Sequence, residues 1–125
     1  MNARKRIALV ISTAALGGGL ALAPAADAAP GVGNIAKNSA NRGGVLCVQH
    51  AVNNWAQRTG QGQPLAEDKL FGTKTETWVK KFQRASRLDD DGIVGKKTGN
   101  SILDNLQGDG TWRSACYDYV PSTRR

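Results

Sequence analysis

Residues 68–75 read DKLFGTKT, and residues 91–98 read DGIVGKKT. Both segments follow the pattern Asp-x-aliphatic-apolar-Gly-x-Lys-Thr, at an offset of 23 residues (91 − 68). In each copy we expect the Asp carboxylate to accept hydrogen bonds from nearby backbone N–H groups and hold a turn. The two apolar residues should enter the core, and the Gly should permit a backbone conformation that a side chain would oppose. The repeat therefore predicts two similar turn–helix units packed against a shared first helix.

Three helices are predicted around these turns. The first covers residues 44–58, where apolar side chains recur at helical spacing before a loop rich in Gly and Gln. The second begins at Thr73, which forms a capping box with Glu76, and ends around Arg87. The third is shorter and ends near Gln107. The predicted core residues are the apolar side chains of the turns and helix faces: Phe71, Val79, Phe82, Ile93, Val94 and Ile102.

The N-terminal segment has the organisation of a secretory signal peptide. Basic residues 4–6 precede an apolar run over residues 7–23. The small-x-small pattern at residues 26–28 predicts cleavage after Ala28, with Ala29 as the alternative. An uncleaved membrane anchor is the rival interpretation, but the run is slightly short and contains three glycines, which weaken a helix in lipid.

The rest of the chain predicts one domain with two flanking segments. Once residues 1–28 are removed as a signal peptide, 97 of the 125 residues remain (125 − 28), enough for a single domain. Residues 29–44 are rich in Gly, Asn, Ala and Ser and predict a flexible leader. The domain itself spans residues 45–107, and residues 108–125 form a C-terminal extension.

Charge and cysteine content favour a role outside the cytoplasm. Without the signal peptide, the 17 basic and 10 acidic residues become 14 and 9, a net charge of +5. That charge favours anionic partners, which outside a bacterial cell are wall polymers and lipid headgroups, and export disfavours nucleic acid. An even cysteine count in an exported chain, with no CxxC motif, predicts a disulfide between Cys47 and Cys116. It would tie the C-terminal extension to the first helix.

The segment from Val45 to Leu106 resembles the peptidoglycan-binding domain of the PGBD-like, three-helix type. That family carries a Leu-Gln pair, an Asp-Gly turn, a Phe-Gln pair and a second Asp-Gly turn. The resemblance implies an all-α fold, a small three-helix bundle with two repeated turn–helix units. The residues that fill its structural motif here are Gln49, Asp68, Phe71, Gly72, Thr75, Phe82, Gln83, Asp91, Gly92, Gly95 and Thr98.

Three positions depart from the family pattern. Lys69 replaces the Gly of the first turn, Trp78 stands where a small residue is usual, and Gly99 stands where an aromatic residue is often found. We expect Trp78 to fill the space that an aromatic side chain at Gly99 would occupy. These departures leave the predicted fold unchanged and affect the ligand surface.

No catalytic constellation is visible in the sequence. His50 is the single histidine and is interpreted as a surface helix residue, whereas wall zinc peptidases use more than one His ligand. The serines lack an activating motif, and pairing removes both thiols. The adjacent carboxylates at residues 67–68 are not spaced for glycosidase chemistry. The run at residues 89–92 lacks the alternating ligands of a calcium loop. We predict no enzyme activity, no catalytic residue, no metal and no cofactor.

Binding is therefore the predicted function. Peptidoglycan presents sugars, amides and carboxylates, so a shallow groove would use an aromatic face, amide groups and a cation. Side chains of these kinds near the helix ends are the candidate ligand contacts: Asn53, Asn54, Trp55, Trp78, Arg84 and Arg87.

The predicted protein is a secreted, monomeric, non-catalytic module that binds peptidoglycan, located outside the cell or at the cell wall. A separate secreted wall hydrolase is a further expected partner, and no membrane contact is expected after signal cleavage. The alternative is an exported protein-interaction module, an inhibitor or partner of a secreted enzyme that reuses the same fold. A minimal wall hydrolase is the third hypothesis.

Overall fold

The computed structural model describes residues 31–124, so the predicted signal peptide lies outside the described residues. Within this range the chain forms four helices: α1 (Arg42–Arg58), α2 (Thr73–Ala85), α3 (Lys96–Asp104) and α4 (Gly110–Cys116). α1 packs against each of the other three helices. The predicted small all-α bundle is confirmed, with α4 as a helix that the sequence did not indicate. None of these four helices is long and apolar enough to cross a bilayer.

The core lies between α1 and the elements that surround it. Five of the six predicted core residues are buried. The exception is Ile93, which is 40% exposed, and its equivalent in the first turn, Leu70, is 58% exposed. Each of these residues donates its backbone N–H to the Asp two positions earlier, and the side chain then points outward. Only the second apolar residue of each turn, Phe71 or Val94, enters the core.

α2 begins with a glycine, and the predicted capping box is wrong. Gly72 is the N-cap residue, with φ −102° and ψ −164°, and no side chain caps the helix. Thr73 is already the first helical residue, whereas a capping side chain must come from a residue with non-helical backbone. Gly95 starts α3 with the same extended geometry. α2 also ends at Ala85, before the position predicted for its end.

Most of the predicted flexible leader, from Ile35 onward, belongs to the folded domain. Ile35 is fully buried and forms an antiparallel bridge with Val94, with N···O distances of 3.0 and 2.8 Å. The N–H of Asn38 donates to the carbonyl of Phe71 at 3.0 Å. This segment therefore contacts both repeated turns, and the interpretation of residues up to 44 as a spacer needs correction.

The C-terminal extension is held against the helices by contacts that include a disulfide and packing over Gly99. The disulfide joins Cys47 in α1 to Cys116 in α4, as predicted. Val120 is fully buried, and a Cβ at Gly99 would lie only 1.6 Å from the carbonyl oxygen of Pro121. The tail thus occupies the space above Gly99, and the expectation that Trp78 fills it is wrong.

Candidate functional site

The first repeated turn is closed by a buried glutamine of α1. The Nε2 of Gln49 donates to Asp68 Oδ1 at 3.0 Å, to the carbonyl of Leu70 at 3.0 Å and to Thr75 Oγ1 at 3.2 Å. Its Oε1 accepts the N–H of Lys69 at 3.1 Å. The Leu70 N–H and the Gln49 amide lower the pKa of the Asp68 carboxyl. We call this arrangement a glutamine latch, because one side chain forms hydrogen bonds with polar groups from both ends of the turn.

The second turn has an identical latch, supplied by α2. The Nε2 of Gln83 donates to Asp91 Oδ1 at 3.1 Å, to the carbonyl of Ile93 at 2.9 Å and to Thr98 Oγ1 at 3.1 Å. Its Oε1 accepts the N–H of Gly92 at 2.9 Å. Each partner is the residue 23 positions after its counterpart in the first turn. The sequence repeat is therefore a repeat of hydrogen bonding, and the predicted turn-bracing role of both Asp residues is confirmed.

The residue that donates to each latch has a left-handed backbone. Gly92 has φ +75° and Lys69 has φ 67°. Glycine adopts this conformation freely, while a residue with a Cβ is strained in it. The departure noted at Lys69 therefore concerns the backbone of the first turn and leaves its hydrogen bonds intact.

A shallow pocket of about 200 Å³ opens beside the second turn. Ile93 offers it an exposed apolar side chain, and Lys96 and Lys97 offer cations at the first turn of α3. This mixture suits a ligand that carries apolar and carboxylate groups close together. The pocket is lined by Leu88, Asp89, Asp91, Ile93, Gly95, Lys96, Lys97 and Thr98.

The structure does not join the six predicted ligand contacts into one surface. Asn53 is buried, and its amide exchanges two hydrogen bonds of 2.9 Å with the backbone of Leu65, so its role is structural. The Nδ2 of Asn54 donates to a carbonyl of the loop after α3 at 3.3 Å. Arg84 pairs with Asp90 at 2.8 Å and lowers the pKa of that carboxyl. Arg87 is exposed, with φ 61°.

The two predicted tryptophans do lie together. Trp55 and Trp78 are half-buried and meet edge-on, with ring centroids 6.4 Å apart. Trp55 also contacts Phe82 edge-on at 5.6 Å, so it forms part of the packing between α1 and α2. The ammonium of Lys81 lies 4.2 Å from the Trp78 ring centroid. A cation over the indole occupies a face that a sugar would otherwise stack on.

A polar cluster around His50 was missed by sequence reasoning. Its Nδ1 lies 3.0 Å from Glu67 Oε2, its Nε2 lies 3.0 Å from Asp109 Oδ2, and the side chain is 18% exposed. The ring stacks on Trp112 with centroids 3.8 Å apart. His50 is therefore not a plain surface residue. It holds the loop before the first turn and the α3–α4 connection against α1.

The contacts of this cluster join three parts of the described chain. The two carboxylates contact opposite nitrogens of the His50 ring, so they do not converge on one point. Across residues 31–124, no three side chains of His, Cys, Asp or Glu are grouped to hold a metal ion. The partners of His50 lie 17 and 59 residues away in sequence, and no local motif indicates either of them.

Residues 48–102 match the family model described as a peptidoglycan binding domain. The matched segment contains both glutamine latches, all of α2 and most of α1 and α3. The resemblance read from the sequence is therefore confirmed over residues 48–102. The family makes peptidoglycan the expected ligand and the cell wall the expected place of action. Comparisons with curated proteins and with solved structures give no match.

Proposed function

We propose that this protein is an exported, non-catalytic module that binds peptidoglycan. The observation that carries the proposal is the family match over residues 48–102, in which both latches are fully formed. The Cys47–Cys116 disulfide supports export, because disulfides persist in oxidising compartments. The basic n-region and apolar run of the predicted signal peptide support the same destination.

The pocket beside the second turn is the proposed ligand site. Its walls belong to a turn that Gln83 holds by four hydrogen bonds. The turn should therefore lose little conformational entropy when a ligand binds, so that a small contact area can give useful affinity. We assign Ile93 to contact with an apolar group of the ligand, and Lys97 to a carboxylate of the stem peptide.

Several groups that could act as acid or base are engaged in structural contacts. Glu67 and Asp109 bind the His50 ring, while Asp68 and Asp91 accept hydrogen bonds from the latches and turns. A glycosidase needs two carboxyl groups on either side of one bond. These contacts support binding without cleavage.

Co-sedimentation with purified bacterial cell walls tests the proposal. The protein expressed from the full-length sequence should pellet with walls at low salt and release no muropeptides. Retention of the protein in the supernatant at low salt would contradict wall binding. Co-purification of one stoichiometric protein from the medium, without wall binding, would support the protein-interaction alternative.

The sequence repeat supplies matched controls for the position of the site. Lys97→Glu and Ile93→Ser should each weaken sedimentation, by about tenfold for the charge reversal. Lys74→Glu and Leu70→Ser change the equivalent positions of the first turn and should have little effect. Equal losses for both turns would refute the assignment of the pocket while leaving wall binding in place.

A further inference from the structure

The outer face of α4 carries a second pocket, outside the residues that match the family. Its volume is about 290 Å³, and it is lined by Gly110, Arg113, Ser114 and Tyr117. Gly110 precedes Arg113 and Ser114 by three and four residues, and Tyr117 follows them by four and three, so the four residues share one side of the helix. The disulfide at Cys116 fixes this helix to α1. The pocket therefore has a defined place in the fold, although it belongs to the C-terminal extension.

Arg113 is the group in this pocket that points to a ligand. Its Nε is buried and has no hydrogen-bond partner. Three other arginines of the described chain have acceptors: Arg58 donates to Asn105, Arg84 pairs with Asp90, and Arg124 pairs with Asp104. The four ion pairs found within residues 31–124 do not include Arg113. Arg113 as a whole is half-buried, but this one N–H donor is covered and lacks an acceptor, which is unfavourable, and an oxyanion in the pocket would relieve that cost.

We propose that this pocket binds a carboxylate group, held by the Arg113 guanidinium. The planar fork of arginine matches the two oxygens of a carboxylate. The exposed hydroxyl of Ser114, on the same helical face, adds a donor to one of these oxygens. Gly110 leaves open space beside the fork, and the half-buried Tyr117 ring offers an apolar wall for the group next to the carboxylate.

The ligand class is a short peptide or acylated amino acid with a free C-terminal carboxylate. A single uncompensated cation matches a monoanionic carboxylate better than a dianionic phosphate. The proposal does not rest on wall binding, because α4 lies outside residues 48–102. If the protein does bind the wall, free carboxylates of stem peptides would be one source of this ligand.

NMR titration of the ¹⁵N-labelled protein, expressed from the full-length sequence, tests the proposal. The probe is N-acetylalanine, and the matched control ligand is N-acetylalaninamide, which lacks the carboxylate. The Nε–Hε signal of Arg113, identified by its loss in Arg113→Gln, should shift in a saturable manner at millimolar N-acetylalanine. The amide should leave it in place, and inorganic phosphate should bind more weakly.

Two arginine variants distinguish binding in the pocket from general attraction of the anionic probe to a basic protein. Arg113→Gln should weaken binding of N-acetylalanine at least tenfold, measured from backbone amide shifts of α4. Arg42→Gln removes an exposed arginine at the start of α1 and should leave the affinity unchanged. Should Arg113→Gln fail to fold by circular dichroism, Ser114→Ala serves instead, with an expected two- to fivefold loss.

Three results would overturn the proposal. They are the absence of a shift of the Arg113 signal at the solubility limit of N-acetylalanine, an equal shift with N-acetylalaninamide, and an equal shift with inorganic phosphate. Unchanged affinity in Ser114→Ala would remove the hydroxyl from the site. Wall sedimentation of Arg113→Gln, measured in parallel, distinguishes this proposal from the function proposed above. A failed titration with normal sedimentation affects the α4 pocket alone.

Discussion

The substitution Gln83→Leu removes the latch of the second turn while keeping the side chain similar in size. Gln83 is fully buried in the centre of the domain. It makes four hydrogen-bond contacts, and in one of them its Oε1 accepts the buried N–H of Gly92. Leucine can make none of them. The variant therefore leaves the turn's own polar groups without partners in a place that water cannot easily reach.

The size of the effect follows from these contacts. The two N–H groups of the Gln83 amide are shared among three acceptors, so the four contacts amount to about three full hydrogen bonds at about 1 kcal/mol each, or about 3 kcal/mol in total. Apolar burial of the leucine recovers roughly 1–2 kcal/mol, and the unpaired N–H of Gly92 adds about 1 kcal/mol. We expect a net loss of about 2–3 kcal/mol, a large share of the roughly 5–15 kcal/mol that stabilises a typical domain. Gln49→Leu should give a similar loss, because its latch has the same bonds.

Urea unfolding, followed by tryptophan fluorescence and circular dichroism, measures this loss. The midpoint should fall without a change in m-value, which reports the surface exposed on unfolding. Gln107→Leu, at an exposed position, is the matched control and should change the free energy of unfolding by less than about 0.5 kcal/mol. A loss below about 1 kcal/mol for Gln83→Leu, or one no larger than that of the control, would refute the latch as a stabilising device.

Three further predictions concern the backbone, the tail and acid. Lys69 and Gly92 both have positive φ, which glycine adopts more readily than other residues. In thermal melts, Lys69→Gly should therefore raise the free energy of unfolding by up to about 1 kcal/mol, and Gly92→Ala should lower it by about 2 kcal/mol. Gly99→Ala should cost about 3 kcal/mol and expose the tail to carboxypeptidase, because its Cβ would meet the Pro121 carbonyl. The backbone N–H of Leu70 and then the Gln49 amide lower the pKa of Asp68. The Asp68 carboxylate therefore stabilises the fold above about pH 4, and this stabilisation is lost as pH falls through the lowered pKa. Asp68→Asn should therefore lose less of its melting temperature on acidification than the unaltered protein.

Each of these has a result that would count against it. A melting temperature raised by Gly92→Ala would show that the left-handed backbone carries no strain. Gly72→Ala is the control for the tail prediction, because a Cβ there meets nothing within 4 Å; equal protease sensitivity in both variants would contradict docking of the tail at Gly99. Identical acid profiles for Asp68→Asn and the unaltered protein would mean that the carboxylate contributes nothing.

Local patterns in the sequence predicted the turns and helices well. The Asp residues brace their turns as expected, since an Asx turn needs only a carboxylate and an N–H two residues later. The same geometry explains the error at Ile93: the bond that fixes the turn also points that side chain outward. The latch itself joins Gln49 to residues 19 to 26 positions away, a distance at which spacing gives no guide to pairing.

Contacts distant in sequence were the ones that sequence reasoning missed. Ile35 lies in a stretch rich in Gly, Asn, Ala and Ser, with no periodicity to indicate that it pairs with Val94. α4 is seven residues long, too short for its apolar spacing to be distinctive, and the disulfide and the His50–Trp112 stack hold it in place. The candidate site had the same difficulty, because the predicted contacts were chosen by chemical type. Among their side chains, Trp55 and Trp78 form a ring contact.

Both flanking segments stabilise the domain from outside the family-matched part. The N-terminal segment pairs with both turns through Ile35 and Asn38, and Asn41 Nδ2 donates to the carbonyl of Tyr119 at 2.8 Å, which ties the two segments together. This framework places the second-turn pocket and the α4 pocket on separate elements, one fixed by Gln83 and the other by the disulfide. Reduction of the disulfide should therefore weaken carboxylate binding at α4 more than wall binding at the second turn. A protein with two independently fixed pockets could hold one wall strand at two points, and such paired contacts raise avidity beyond either affinity alone.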